Sequence, residues 1–200
     1  RNLVSAFTFA SPGNNTSATV QTAITGFTLN PGAGVTATYS GVIANFASGT
    51  TITKTGLGTQ VFSGLNSFTG NVTVGAGTLA GGVAASGGNS AFGSISNTRT
   101  INVNTGGTLS FNAGNVFSTN FSSSAVPSLN VAGGIVTNAS PATNNALGNI
   151  TLADGTLTAT TGHATYGAFN LNGIVTSTGI STISTSDPVN GRFVLTSAGP

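Results

Sequence analysis

At 200 residues the chain has the length of one ordinary domain, or of one stretch of a longer repeat array, and only 3% of it is charged. Globular domains carry about a quarter charged residues, and helical ones place Glu and Lys on their exposed faces, so four Lys or Arg, two acidic residues and a net charge of +2 argue against helices. Thirty glycines without a strict three-residue period exclude collagen, and a positive mean hydropathy of +0.28 argues against disorder.

Along the chain, apolar side chains recur at every second position in short runs, and Gly, Asn or Pro interrupts each run. That is the period of strands joined by tight corners. The first runs are 3–9 (LVSAFTF), closed by Ser11-Pro12-Gly13, then 18–24, 26–29 and 35–39, with Asn30-Pro31-Gly32 as a corner. Residues 41–43 and 51–53 lead into 53–79, TKTGLGTQVFSGLNSFTGNVTVGAGTL, where strand and corner alternate most regularly.

Beyond Leu79 an ending of the form apolar-x-apolar, a few small residues, Gly, then an apolar pair recurs. It occurs at Val72-Thr73-Val74…Gly77-Thr78-Leu79, at 101–109, 129–136 and 150–157, and once more at Phe169-Asn170-Leu171…Gly173-Ile174-Val175. The glycines step by about 18–30 residues, the spacing of solenoid repeats. A second recurring piece, Asn89-Ser90-Ala91-Phe92-Gly93 and Asn144-Asn145-Ala146-Leu147-Gly148, precedes two of these endings. Stacking such units pairs each main-chain N–H and C=O with the coil above and below and buries the inward Val, Ile, Leu and Phe. Val72, Val74, Leu79, Ile101, Val103, Leu109, Ile150, Leu152, Leu157, Phe169 and Leu171 are expected to point inward. At about 20–25 residues a rung, the chain makes eight to ten rungs, a column on the order of 40 Å tall. No domain boundary is visible, so 1–200 reads as one domain or one segment of an array. The loosest stretch, 115–127 (NVFSTNFSSSAVP), is expected to leave the column and fold back on it.

Lys54 to Thr59 (KTGLGT), Ser63 to Gly70 (SGLNSFTG) and Gly77 to Leu79 (GTL) together resemble the autotransporter-associated β-strand repeat, or passenger-associated transport repeat. The Asn-x-Ala-Leu-Gly turn at 144–148 is similar to a turn of the same family. The resemblance implies an all-β fold, a right-handed parallel β-helix, on an exported, extracellular or cell-surface bacterial protein. It implies no reaction.

The side chains that carry chemistry are few. Without cysteine there are no disulfides, thiolate metal sites or thiol nucleophiles. His163 is the only histidine and reads as a turn residue; Asp154 precedes Gly155 and Asp187 precedes Pro188, both turn pairs. No cofactor, metal site or active site is therefore expected, and the protein is expected not to be an enzyme. Arg1, Lys54, Arg99 and Arg192 are scattered, so no nucleic-acid surface is expected. No apolar run approaches the roughly eighteen residues of a membrane helix, and the first residues do not read as a signal peptide.

Three functions remain. The first is a structural subunit that stacks end to end with itself into an extracellular filament or surface assembly. Its assembly interface is expected at Leu3, Val4, Phe7 and Phe9 in the first run and at Phe193, Val194 and Leu195 in the last, both uncharged β edges but for Arg192. The second is a passenger-like adhesin or spacer, with the cell surface or matrix as partner. The third is ice binding through threonine ladders, for which Thr-x-Thr occurs at 36–38, 51–53, 53–55, 156–158 and 158–160 but does not recur in every rung.

Overall fold

A computed structural model describes residues 25–45, 49–118, 125–141 and 143–195. They fold into seven stacked rungs, each contributing one strand to each of two long parallel sheets. The rungs are β1 (Gly26–Leu29) with β2 (Thr36–Tyr39), β3 (Thr51–Lys54) with β4 (Thr59–Phe62), and β5 (Val72–Val74) with β6 (Gly77–Gly81). A small antiparallel hairpin follows, β7 (Asn89–Ser90) and β8 (Gly93–Ser94). The fourth rung is β9 (Thr100–Asn104) with β10 (Gly107–Phe111). The last three rungs add a third strand: β11 (Ser128–Ala132), β12 (Ile135–Asn138) and β13 (Asn145–Leu147); β14 (Ile150–Ala153), β15 (Thr156–Ala159) and β16 (Phe169–Leu171); β17 (Val175–Thr178), β18 (Thr182–Thr185) and β19 (Phe193–Leu195). The first sheet runs β1-β3-β5-β9-β11-β14-β17, the second β2-β4-β6-β10-β12-β15-β18, and the third face β13-β16-β19.

The fold is an all-β solenoid of parallel strands with no helix among the described residues. Each inward position expected from the alternation is at most 2% exposed. The register explains why: Val72 pairs with Ile101, Ile101 with Leu129 and Leu129 with Ile150, so like side chains stack in continuous columns. Burying one such side chain contributes about 1.5–3 kcal/mol, which no single rung could gain alone.

The rung count is lower than the eight to ten expected, with seven strands per long sheet making about six turns. Residues 1–24 lie outside the described part. Rungs also lengthen to about 29 residues where the chain detours through the third face, as between Val72 and Ile101. Six steps of about 4.8 Å make a column roughly 29 Å tall. The last ending, at 169–175, belongs to a different place in the coil than the others. Phe169–Leu171 is the third-face strand β16, and Val175 opens the next rung's first-sheet strand β17. Apolar-x-apolar followed by Gly marks any strand–corner–strand step, so the pattern does not tell one corner from another.

The third face is where Phe collects. Phe92, Phe111, Phe117 and Phe169 are fully buried and meet edge to face, with ring centroids 5.1 to 5.8 Å apart. Both copies of the recurring Asn-x-Ala-Phe/Leu-Gly piece lie on this face, with Ala91, Phe92, Ala146 and Leu147 buried. The described part of the 115–127 stretch turns inward as expected: Val116, Phe117 and Val126 join the core.

Candidate functional site

The motif of 53–79 is built around two buried polar side chains and glycines in tight contact. Lys54 is fully buried, and its Nζ donates to the carbonyl oxygens of Thr55 at 2.5 Å, Gly56 at 2.9 Å and Ala76 at 2.9 Å. Burial pushes its pKa below the ordinary value. Asn66 is also fully buried and joins three rungs: its Oδ1 accepts from Ile43 N–H at 2.7 Å and its Nδ2 donates to Ala91 C=O at 2.5 Å. Gly70 is required by contact, since a Cβ there would stand 2.2 Å from the Thr50 carbonyl oxygen. Gly77 is required twice over: its φ is +61°, and a Cβ would stand 2.5 Å from the carbonyl oxygens of Gly56 and Gly58.

The other described cations are used the same way. Arg99 is 3% exposed and lies over the Phe68 ring, 5.1 Å from its centroid. Its Nε donates to Gly70 C=O at 2.9 Å, one Nη to Phe92 C=O at 2.8 Å and the other to Ser94 C=O. Burial pushes its pKa down to about 10, so the guanidinium keeps its charge through the neutral range. Arg192 donates to the Ala164 and Thr165 carbonyls at 2.5 and 3.0 Å. These cations hold corners, a role that their scattered placement in the sequence does not reveal.

His163 and Asp187 each serve a local turn, and Asp154 ties its corner to the next rung. His163 Nδ1 accepts from Thr165 N–H at 3.0 Å, and its ring stacks on Tyr166. Asp154, at φ 53°, accepts through Oδ1 from Ile180 N–H of the next rung at 2.7 Å. Asp187 Oδ1 accepts from Asn190 and Val189 N–H, each at 2.9 Å. Those bonds, from Asn190 first, hold its pKa below the ordinary 3.8. A depressed carboxyl stabilises fully above its unfolded pKa, and that contribution is lost as pH falls through the lower folded value. Acidification below about pH 4 is therefore expected to speed amide exchange at Val189 and Asn190, and Asp187→Asn to abolish that pH step. Among the described residues no group of three His, Cys, Asp or Glu could hold a metal ion. An open groove lined by Asn97, Val126, Ser128, Asn149, Asn172, Gly173 and Ile174 holds no titratable side chain.

The surfaces left are the ends and faces of the column. At the C-terminal end β17, β18 and β19 are the outermost strands of their sheets among the described residues. Alternation fixes which groups they present. Thr182 N–H and Ser186 N–H bond back to Gly155 and Ala159 C=O, so the main-chain groups of Ile183 and Thr185 face away from the column. Of the interface residues expected here, Phe193 stacks on Phe169 at 5.8 Å, Val194 pairs with Asn170, and Leu195 is 72% exposed. Ile174, Ile180, Ile183 and Val189 are exposed beside them. Sequence reasoning passed over Ile180, Ile183 and Val189, each isolated among small or turn residues, and read Ile174 only as part of the ending at 169–175. At the other end β1 and β2 are outermost among the described residues, with Phe27, Leu29, Tyr39 and Ile43 only partly buried against the core. Leu3, Val4, Phe7 and Phe9 lie outside the described residues.

The register of the second sheet lines up two rows, the second of them buried at Ala80 and Ser110. The first is Thr36, Thr59, Thr78, Thr108, Ile135, Thr156 and Thr182; the second is Thr38, Val61, Ala80, Ser110, Thr137, Thr158 and Ser184. On the first sheet the corresponding row is Thr28, Thr53, Thr73, Asn102, Asn130, Thr151 and Thr176, with Asn130 Nδ2 donating to Asn102 Oδ1 at 3.2 Å.

The described residues form an all-β solenoid of parallel strands. Residues 52–80, from β3 to β6, match the family model of the passenger-associated-transport-repeat. Comparison with curated proteins and with solved structures returns no match. The matched segment contains Lys54, Asn66, Gly70 and Gly77. Repeat and solenoid together fit an autotransporter-passenger-like protein, and the family points to a secreted or surface location.

Proposed function

We propose that the protein is a non-catalytic structural subunit of an extracellular bacterial assembly, in which columns stack end to end by main-chain strand pairing. The observation that carries this reading is the C-terminal end, where edge strands and the apolar side chains of Ile180, Ile183, Val189 and Leu195 are exposed together. An uncovered, uncharged β edge associates with other strands unless something blocks it. Among the described residues the opposite edges, β1 and β2, belong to the same two sheets as β17 and β18, and all their strands run parallel. A translated second copy therefore continues both sheets without reversing a strand. Such a contact joins two different ends and propagates into a filament instead of closing as a dimer. Left unstacked, the same column acts as a passenger-like spacer or adhesin, a reading supported by the repeat at 52–80.

Ile183→Lys tests the joint. The residue is 49% exposed at the end of the core, so the lysine reaches solvent in a single column but is buried in a stack. Light scattering is expected to show concentration-dependent growth for the natural chain and loss of growth for the variant, with an unchanged β spectrum. Equal growth of both proteins would remove the C-terminal end as the joint.

A further inference from the structure

We infer that the corner at 163–167 is a pH switch, in which proton uptake by His163 turns two peptide groups away from its ring and releases Arg192. His163 is the only histidine, and imidazole is the side chain that ordinarily changes charge between about pH 5 and 8. Its Nδ1 accepts from Thr165 N–H at 3.0 Å and from Tyr166 N–H at 3.4 Å. Those N–H groups belong to the same peptide units as the Ala164 and Thr165 carbonyls. Arg192, from the corner of the next rung, donates to these two carbonyls at 2.5 and 3.0 Å. A trans peptide is planar, with its N–H and C=O pointing opposite ways. Two peptide groups are therefore held between an acceptor on one side and a cation on the other.

Two N–H donors at Nδ1 fix the neutral ring in the tautomer that carries its proton on Nε2. Protonation puts a second hydrogen on Nδ1, which removes the acceptor and sets N–H against N–H. The ring is anchored by its stack on Tyr166, 4.9 Å between centroids, and an aromatic face also attracts a cation. The peptide groups give way instead, and as they turn both carbonyls leave Arg192. The paired main-chain bonds between His163 and Gly167, at 3.0 and 2.8 Å, close the foot of the corner and confine the change to the residues between them.

The ionisable groups packed about this corner among the described residues are Tyr166 on the corner itself and Asp187 and Arg192 on the next one. The rung below presents the neutral amide of Asn144, which donates to the Tyr166 and Gly167 carbonyls. Asp187 accepts from Gly162 N–H, beside His163, and favours the imidazolium, whereas Arg192 repels it. The opened corner bears two cations no longer tied to the loop, on a chain whose net charge is only +2 while His163 is neutral. The inference rests on this corner and is independent of end-to-end stacking.

NMR of the full chain between about pH 8 and 5 tests it, with circular dichroism as the check on each fold. As the His163 ring titrates, protection from hydrogen exchange at Thr165 and Tyr166 is expected to fall about tenfold, the worth of one hydrogen bond. The Arg192 side-chain signals are expected to shift with the same midpoint. His163→Asn keeps a side-chain acceptor for the Thr165 N–H but does not titrate, and is expected to stay protected throughout. His163→Ala has no acceptor, and is expected to show at the upper pH the open corner that the natural chain shows at the lower. Constant protection while the ring titrates would overturn the inference. So would an equal fall in His163→Asn, which would place the pH step on another group. The Asp187 step, below about pH 4, lies outside this window.

Discussion

Phe111→Ala is expected to destabilise the column by about 3–5 kcal/mol, the range for deleting a buried ring. Phe111 is fully buried at the end of β10, with ring centroids 5.8 Å from Phe92, 5.1 Å from Phe117 and 5.5 Å from Phe169. Those partners come from the hairpin before its rung, the detour after it and the sixth rung, so one ring ties several coils together. A column held by nearest-neighbour rung contacts loses cooperativity when one interface weakens. The urea transition is thus expected to broaden as well as shift. Phe111→Leu, which refills part of the space, should restore most of the loss. A change under about 1 kcal/mol for the alanine variant would be too small for a cavity of this kind and would show that the aromatic cluster does not brace the coils.

Asn66→Leu should have the next largest effect, although it keeps the volume and adds apolar surface. The substitution strands Ile43 N–H and Ala91 C=O, which Asn66 bonds at 2.7 and 2.5 Å inside the core. Each buried group left without a partner costs about 1–3 kcal/mol. Denaturant unfolding of the variant against the natural chain measures the sum. A neutral or stabilising outcome would mean that the asparagine of the 63–70 motif only fills space.

Much of the fold was legible because a solenoid writes its structure locally. Inward residues such as Val72, Ile101 and Leu152 follow from the two-residue strand period alone, and corners such as Asn30-Pro31-Gly32 follow from turn chemistry. What depends on register was not legible. Rungs vary from about 20 residues, between Ile52 and Val72, to about 29, between Val72 and Ile101, so one cannot tell from sequence which Thr lies over which. The row through Thr59, Thr78 and Thr108 emerges only once the strands are paired. Lys54 and Arg99 were hidden for a different reason. A cation is ordinarily a surface residue, and only the clustering of main-chain carbonyls at a corner makes its burial favourable. The same holds at the C-terminal end, where Ile174 and Ile180 stand out only because no further rung covers them among the described residues.

The most direct measurement of the central claim is electron microscopy of the purified chain, joined to sedimentation velocity, over a rising concentration series. The account predicts unbranched rods of constant width that lengthen with concentration, their strands running across the rod at the 4.8 Å spacing typical of β-structure. Single short columns at every concentration would contradict it.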